Sequence, residues 1–269
     1  VTVTTPVTPT NVSFINSTSS YIVKGTGFIE GSTSLTKNGT GSIELQTSAN
    51  TYSDGTTINS GTLILAGSTQ YSTAGAIASG PWGTGNVTFA DGTTLASTAA
   101  YLVQAPQINI LGDMTIGQTT GATAQVSIGG LLDLNNGTRT LTMVNGTATT
   151  SIGDAKLSFY NQPITAGGLA GFTYVQNGVL RLVGSSSLAP GLKSVIYLNN
   201  MGLKFTGNAG LTIGDRAHLI FRGGNMFGTG ADAPTLTIEA GGVLDLSQGS
   251  GHTGSTSQEV FSLSGAGTV

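Results

Sequence analysis

The chain has 269 residues and a formal net charge of −3, with only 8% charged residues, 42 glycines and no cysteine. So few charges leave no basic face for nucleic acid and no polybasic patch for a lipid surface, and they weigh against catalysis, which draws on charged side chains. A hydrophobic content of 38%, with the remaining polarity in Ser, Thr and Asn, separates the chain from charge-solvated disorder.

In chain order, Val1 to Pro9 is a Thr and Val run with two prolines, and residues 1–20 read as an extended linker or edge segment. Residues 21–269 read as a continuous β-solenoid that stays open at its C-terminal end and continues in a parent protein. Alternation of large apolar and polar residues, the period-two mark of a half-buried strand, predicts strands at Ser42–Leu45, Thr62–Leu65, Asn86–Phe89, Gln107–Ile110, Gln125–Ile128, Lys156–Phe159 and Thr235–Ile238. Between them stand corner signals: Asn38-Gly39, Asp54-Gly55, Asp91-Gly92, Asn136-Gly137, Asn145-Gly146 and Asn177-Gly178. One helical turn is expected near Ser72 to Ser79, ended by Gly80-Pro81.

Short phrases recur. Gly129 to Leu134 returns as Gly241 to Leu246, Ile152-Gly153-Asp154 as Ile213-Gly214-Asp215, and Ser60 to Leu65 as Asn177 to Leu182. Stacked coils repeat themselves because each presents one cross-section to the next, whereas sandwich and barrel strands each meet a different environment. The fold class expected is therefore all-β: a parallel β-helix, expected right-handed, forming one elongated rod with loop insertions. At roughly 20 residues per coil it would have about 13 coils.

The run from Leu35 to Gly67, LTKNGTGSIELQTSANTYSDGTTINSGTLILAG, adds a resemblance. Lys37, Gly39, Gly41, Asn50, Tyr52, Gly55, Asn59, Gly61 and Leu63 follow the pattern of the autotransporter passenger-associated β-strand repeat of bacterial surface proteins, which this stretch resembles. The resemblance implies a stacked β-solenoid displayed outside the cell or on its outer surface, as stalk, filament or spacer and not as catalyst. It leaves open an adhesin that binds a glycan or cell-surface protein through projecting loops, and, behind that, a polysaccharide-active β-helix enzyme.

The chemistry-bearing residues are few. Tyr71 and Trp82, in the segment Ser68 to Gly85, are candidates for a partner-binding loop; for Trp82 the alternatives are an exposed sugar-stacking platform and a plug in a hydrophobic side cluster. A second loop candidate is Gly223 to Pro234. Asp133 and Asp245 should point outward on distant coils, while Asp54 and Asp91 should bond their own backbone. Asp215, Arg216 and His218, joined by Arg222, read as a surface ion pair, and His252 as a loop residue. Two His and no Cys are too few for a zinc site, and Gly228 to Asp232 is a single imperfect copy of a calcium-roll phrase. No cofactor and no metal are expected. The expected partners are further repeats stacked end to end, with no nucleic acid and no membrane insertion by this segment.

Overall fold

In the computed structural model, residues 1–72, 76–99, 101–117, 126–144, 157–159, 173–186, 193–199, 203–222, 227, 233–246 and 262–269 are described. Among them there is no helix, and the strands are parallel except for one short hairpin. The chain alternates between two parallel ladders and, from Tyr101 on, also visits a third, which makes it a β-solenoid.

Face A stacks β1 (Asn11–Ile15), β3 (Ser34–Asn38), β5 (Thr56–Ile58), β9 (Val87–Phe89), the end of β11 (Tyr101–Ile110), the middle of β13 (Val126–Met143), the start of β15 (Thr173–Gly184) and β17 (Leu203–Phe205). Face B stacks β2 (Tyr21–Val23), β4 (Ser42–Leu45), β6 (Thr62–Leu65), β10 (Thr93–Ser97), β12 (Met114–Ile116), the ends of β13 and β15, β18 (Gly210–Ile213), β20 (Thr235–Ile238) and β22 (Ser262–Gly265). Face C stacks the starts of β11 and β13, then β14 (Leu157–Phe159), β16 (Ser194–Asn199), β19 (Ala217–Arg222) and β21 (Val243–Asp245).

Face B carries ten strands among the described residues, which at about 4.8 Å per rung span roughly 43 Å. That is fewer than the 13 coils expected. The step along a ladder runs from 20 residues, Ile43 to Leu63, to 43 residues, Leu132 to Val175, so many coils use more than 20 residues per rung.

The core is a set of side-chain columns running along the stack. On face A one column is Leu35, Thr56, Val87, Ile108, Leu132, Val175 and Phe205, and on face B another is Ile43, Leu63, Leu95, Ile116 and Met143. All of these are buried. Each such aliphatic contributes on the order of 1.5–3 kcal/mol by leaving water, which is how short strands in a glycine-rich chain offset the entropy of ordering it. Further along, Phe227 meets Phe205 and Phe221 edge-on, with ring centroids 6.2 and 5.0 Å apart.

Corners between faces A and B need backbone with positive φ, and Asn135, Asn136 and Asn177 supply it alongside Gly39, Gly61 and Gly178. Asn145-Gly146, the Ile152-Gly153-Asp154 phrase, His252 and the Gly228 to Asp232 phrase lie outside the described residues.

Two sequence readings need correction. The expected helical turn is a strand where it is described: β8 (Ile77–Ser79) pairs antiparallel with β7 (Gln70–Tyr71), and Ser72 N–H donates to Ala76 O at 2.8 Å. The recurrence of Gly129 to Leu134 at Gly241 to Leu246 is not in phase. Leu131 to Asp133 lie on face A and Val243 to Asp245 on face C, so the phrase marks a corner followed by a strand and not one position in the cross-section. The recurrence of Ser60 to Leu65 at Asn177 to Leu182 is in phase, since both place their leucines on face B.

Residues 1–20 stack on the coil that follows them: Thr2 bridges Lys24, Val7 bridges Ile29, and β1 pairs with β3.

Candidate functional site

The coils built from residues 35–65 hold a connected set of buried polar contacts. In β3, Leu35 and Lys37 share the inward parity, so Lys37 stands in a core column between Phe14 and Ile58 and is fully buried. Its ammonium donates to Asn38 O at 2.8 Å, Gly39 O at 2.6 Å and, in the following coil, Ser60 O at 3.4 Å. Burial holds its pKa below the ordinary lysine value.

The glycines of the same stretch are required sterically. A Cβ on Gly61, where φ is +79°, would stand 2.3 Å from Gly41 O, 2.5 Å from Gly39 O and 2.9 Å from Lys37 Nζ. Outside, Asn59 Nδ2 donates to Asn38 Oδ1 at 2.9 Å, tying successive corners.

The opposite corner is held by Asn50, also buried. Its Oδ1 accepts from Ile29 N–H at 3.0 Å, and its Nδ2 donates to Pro81 O at 3.0 Å and Thr47 O at 3.3 Å, so one amide joins three coils. Tyr52 is buried with its hydroxyl 2.7 Å from Thr56 Oγ1, which in turn donates to Trp82 O at 2.9 Å. Burial raises the Tyr52 pKa beyond its usual range, outweighing the Thr56 hydrogen bond.

Trp82 is 0% exposed, its Nε1 donates to Gln104 O at 2.9 Å, and its ring meets Phe89 edge-on. It plugs the solenoid and offers no face for stacking a sugar. Tyr71 is partly exposed and its hydroxyl donates to Gln104 Oε1, so the two candidate loop residues converge on Gln104 from different sides. Gln104 was not legible as a hub; its own Nε2 is buried without a hydrogen bond.

The acids fall apart into separate roles. On face A, burial pushes the Asp133 pKa up, but hydrogen bonds from Asn135 N–H, Asn177 and Gln176 outweigh it and leave the group below the ordinary carboxylate range. Gln107 Nε2 also reaches it at 3.3 Å. A carboxylate so supplied with donors is a poor general acid. Asp91 accepts from Asp113 N–H of the next coil at 2.8 Å and not from its own turn. Asp215 pairs with Arg216 at 3.6 Å, whereas His218 faces Asp245 of the neighbouring coil at 3.4 Å, so the Asp-Arg-His sequence cluster is divided. Arg181 holds Glu239 across two coils through Nε at 2.9 Å and Nη2 at 2.5 Å. Among the described residues no group of three His, Asp or Glu is placed to hold a metal ion.

No curated protein and no solved structure matches this chain. Lys37, Gly39, Asn50, Tyr52, Asn59, Gly61 and Leu63 of the resemblance pattern each have a stacking, corner or core role in the geometry above. Residues 35–65 match the passenger-associated-transport-repeat, the repeat family of autotransporter passengers.

Proposed function

We propose that this chain is a structural rod displayed on the outer cell surface, serving as stalk or filament segment. The observation that carries the reading is the use of the repeat's residues: Lys37, Asn50 and Gly61 are consumed in joining coil to coil. The low charge and the parallel ladders support it. Further coils of like cross-section are the partner this reading favours. Among the described residues β1 and β22 each pair on one side only, and Ile15 and Leu263 are exposed there. Adhesion through residues 68–85 is the weaker reading, because Trp82 is internal.

The test uses the absence of cysteine. A single Cys at exposed Asp54, in cells expressing the parent protein, should add labelling by a membrane-impermeant thiol reagent before lysis over that of the same protein without it. Labelling only after lysis would refute surface display. Small-angle scattering from the purified chain should give the skewed distance distribution of an elongated body; a symmetric one refutes the rod.

A further inference from the structure

We infer that Lys37 is the register key of the solenoid, an internal ammonium that selects which residues of successive coils lie side by side. A slip of two residues between coils keeps every side chain on its correct face, so the inward and outward alternation cannot forbid it. On face A such a slip would set one inward apolar residue against another, Leu35 against Ile58, and one outward hydroxyl against another, Ser34 against Thr57. Hydrophobic burial alone therefore discriminates weakly here.

Lys37 does discriminate. Its ammonium is satisfied by two carbonyls of its own corner and by Ser60 O of the next coil, and it lies 2.9 Å from where a Gly61 Cβ would be. A two-residue slip moves Ser60 O by roughly 6.7 Å, out of reach, and brings other backbone to the charge. A buried charge is a poor source of stability compared with an apolar residue in the same space, and fixing register is the best-attested use of one. The column it interrupts, Phe14, Ile58, Phe89 and Ile110, is otherwise apolar, so a methionine or leucine would pack there. The inference concerns how the coils align and is independent of where the rod is displayed.

The chain has no cysteine, so paired cysteines report register directly. Thr36→Cys with Thr57→Cys places register partners at neighbouring-strand distance, within disulfide reach, while Ser34→Cys with Thr57→Cys is two residues out and beyond about 7 Å. Each pair is refolded and oxidised with Lys37 intact, with Lys37→Met, and with Lys37→Gln, which keeps amide donors should the methionine variant not recover a β-sheet circular dichroism spectrum. With Lys37 intact only the first pair should crosslink. In the variants the ratio of out-of-register to in-register crosslink should rise about tenfold or more, the change expected from one charged hydrogen bond. An unchanged ratio overturns the inference. So does failure of both variants to fold without any out-of-register crosslink, because that result makes the lysine a stabilising group alone.

Discussion

Asn50→Ala gives the sharpest test of how the coils are joined. The substitution strands three buried backbone groups at once: Ile29 N–H, Thr47 C=O and Pro81 C=O. An orphaned buried N–H costs about 2 kcal/mol and each carbonyl, with a second lone pair to use, about 1, so the loss should be about 4 kcal/mol, in the far tail for one substitution. Asn50→Asp retains the acceptor for Ile29 N–H but turns a carboxylate oxygen on two carbonyls, and should be no better than alanine. The readout is urea unfolding followed by the emission of Trp82, the sole tryptophan, whose neighbour Pro81 is one of the stranded groups. A stack of coils need not melt in one step, so hydrogen exchange should accompany it, with protection lost first at Ile29 and Gly80. A loss below about 1 kcal/mol, or an even loss of protection along the chain, would refute the argument that a single amide clamps these coils.

Gly61→Ala should destabilise by more than about 2 kcal/mol, since its Cβ would collide with two backbone carbonyls, whereas Gly92→Ala, with φ of +72° and open space, should cost only about 1 kcal/mol; paired denaturation curves decide. Trp82→Ala should cost about 3–5 kcal/mol as a buried cavity, and native Trp82 emission should be blue-shifted relative to the urea-unfolded chain. The Arg181 hydrogen bonds lower the Glu239 pKa, so their stabilisation is present above its unfolded value near 4.5 and is lost as pH falls through the folded value. With both side chains about a third exposed it amounts to roughly 1 kcal/mol or less, and Glu239→Gln should flatten that part of the acid limb of the urea midpoint. The lowered Lys37 pKa has the opposite sign: the penalty on its charged form is present below the folded value and is relieved as pH rises toward 10.5, so wild type should gain on Lys37→Met over that window.

The strands were legible because alternation depends on local sequence alone. Ser42–Leu45, Thr62–Leu65 and Thr235–Ile238 fall where period two puts them. The burial of Lys37 was not read from the sequence: it shares parity with Leu35, but its charge argues for an outward place. What sequence did not carry was which coil meets which. The phrase at Gly129 and Gly241 looks like one position and occupies two faces, because a glycine corner before leucines suits any edge of the cross-section. Nor could it show that Pro81 and Gly83 turn Trp82 inward onto Gln104, a residue 22 positions away that has no local signature.

The uneven steps along the ladders have their own consequence. A coil is gripped only where its short strands meet the rungs above and below, and the chain between those grips can grow from one turn to the next, as it does between Leu132 and Val175. Growth in such an arc leaves the axial repeat untouched, so ornament can accumulate on the flank while the shaft keeps its pitch.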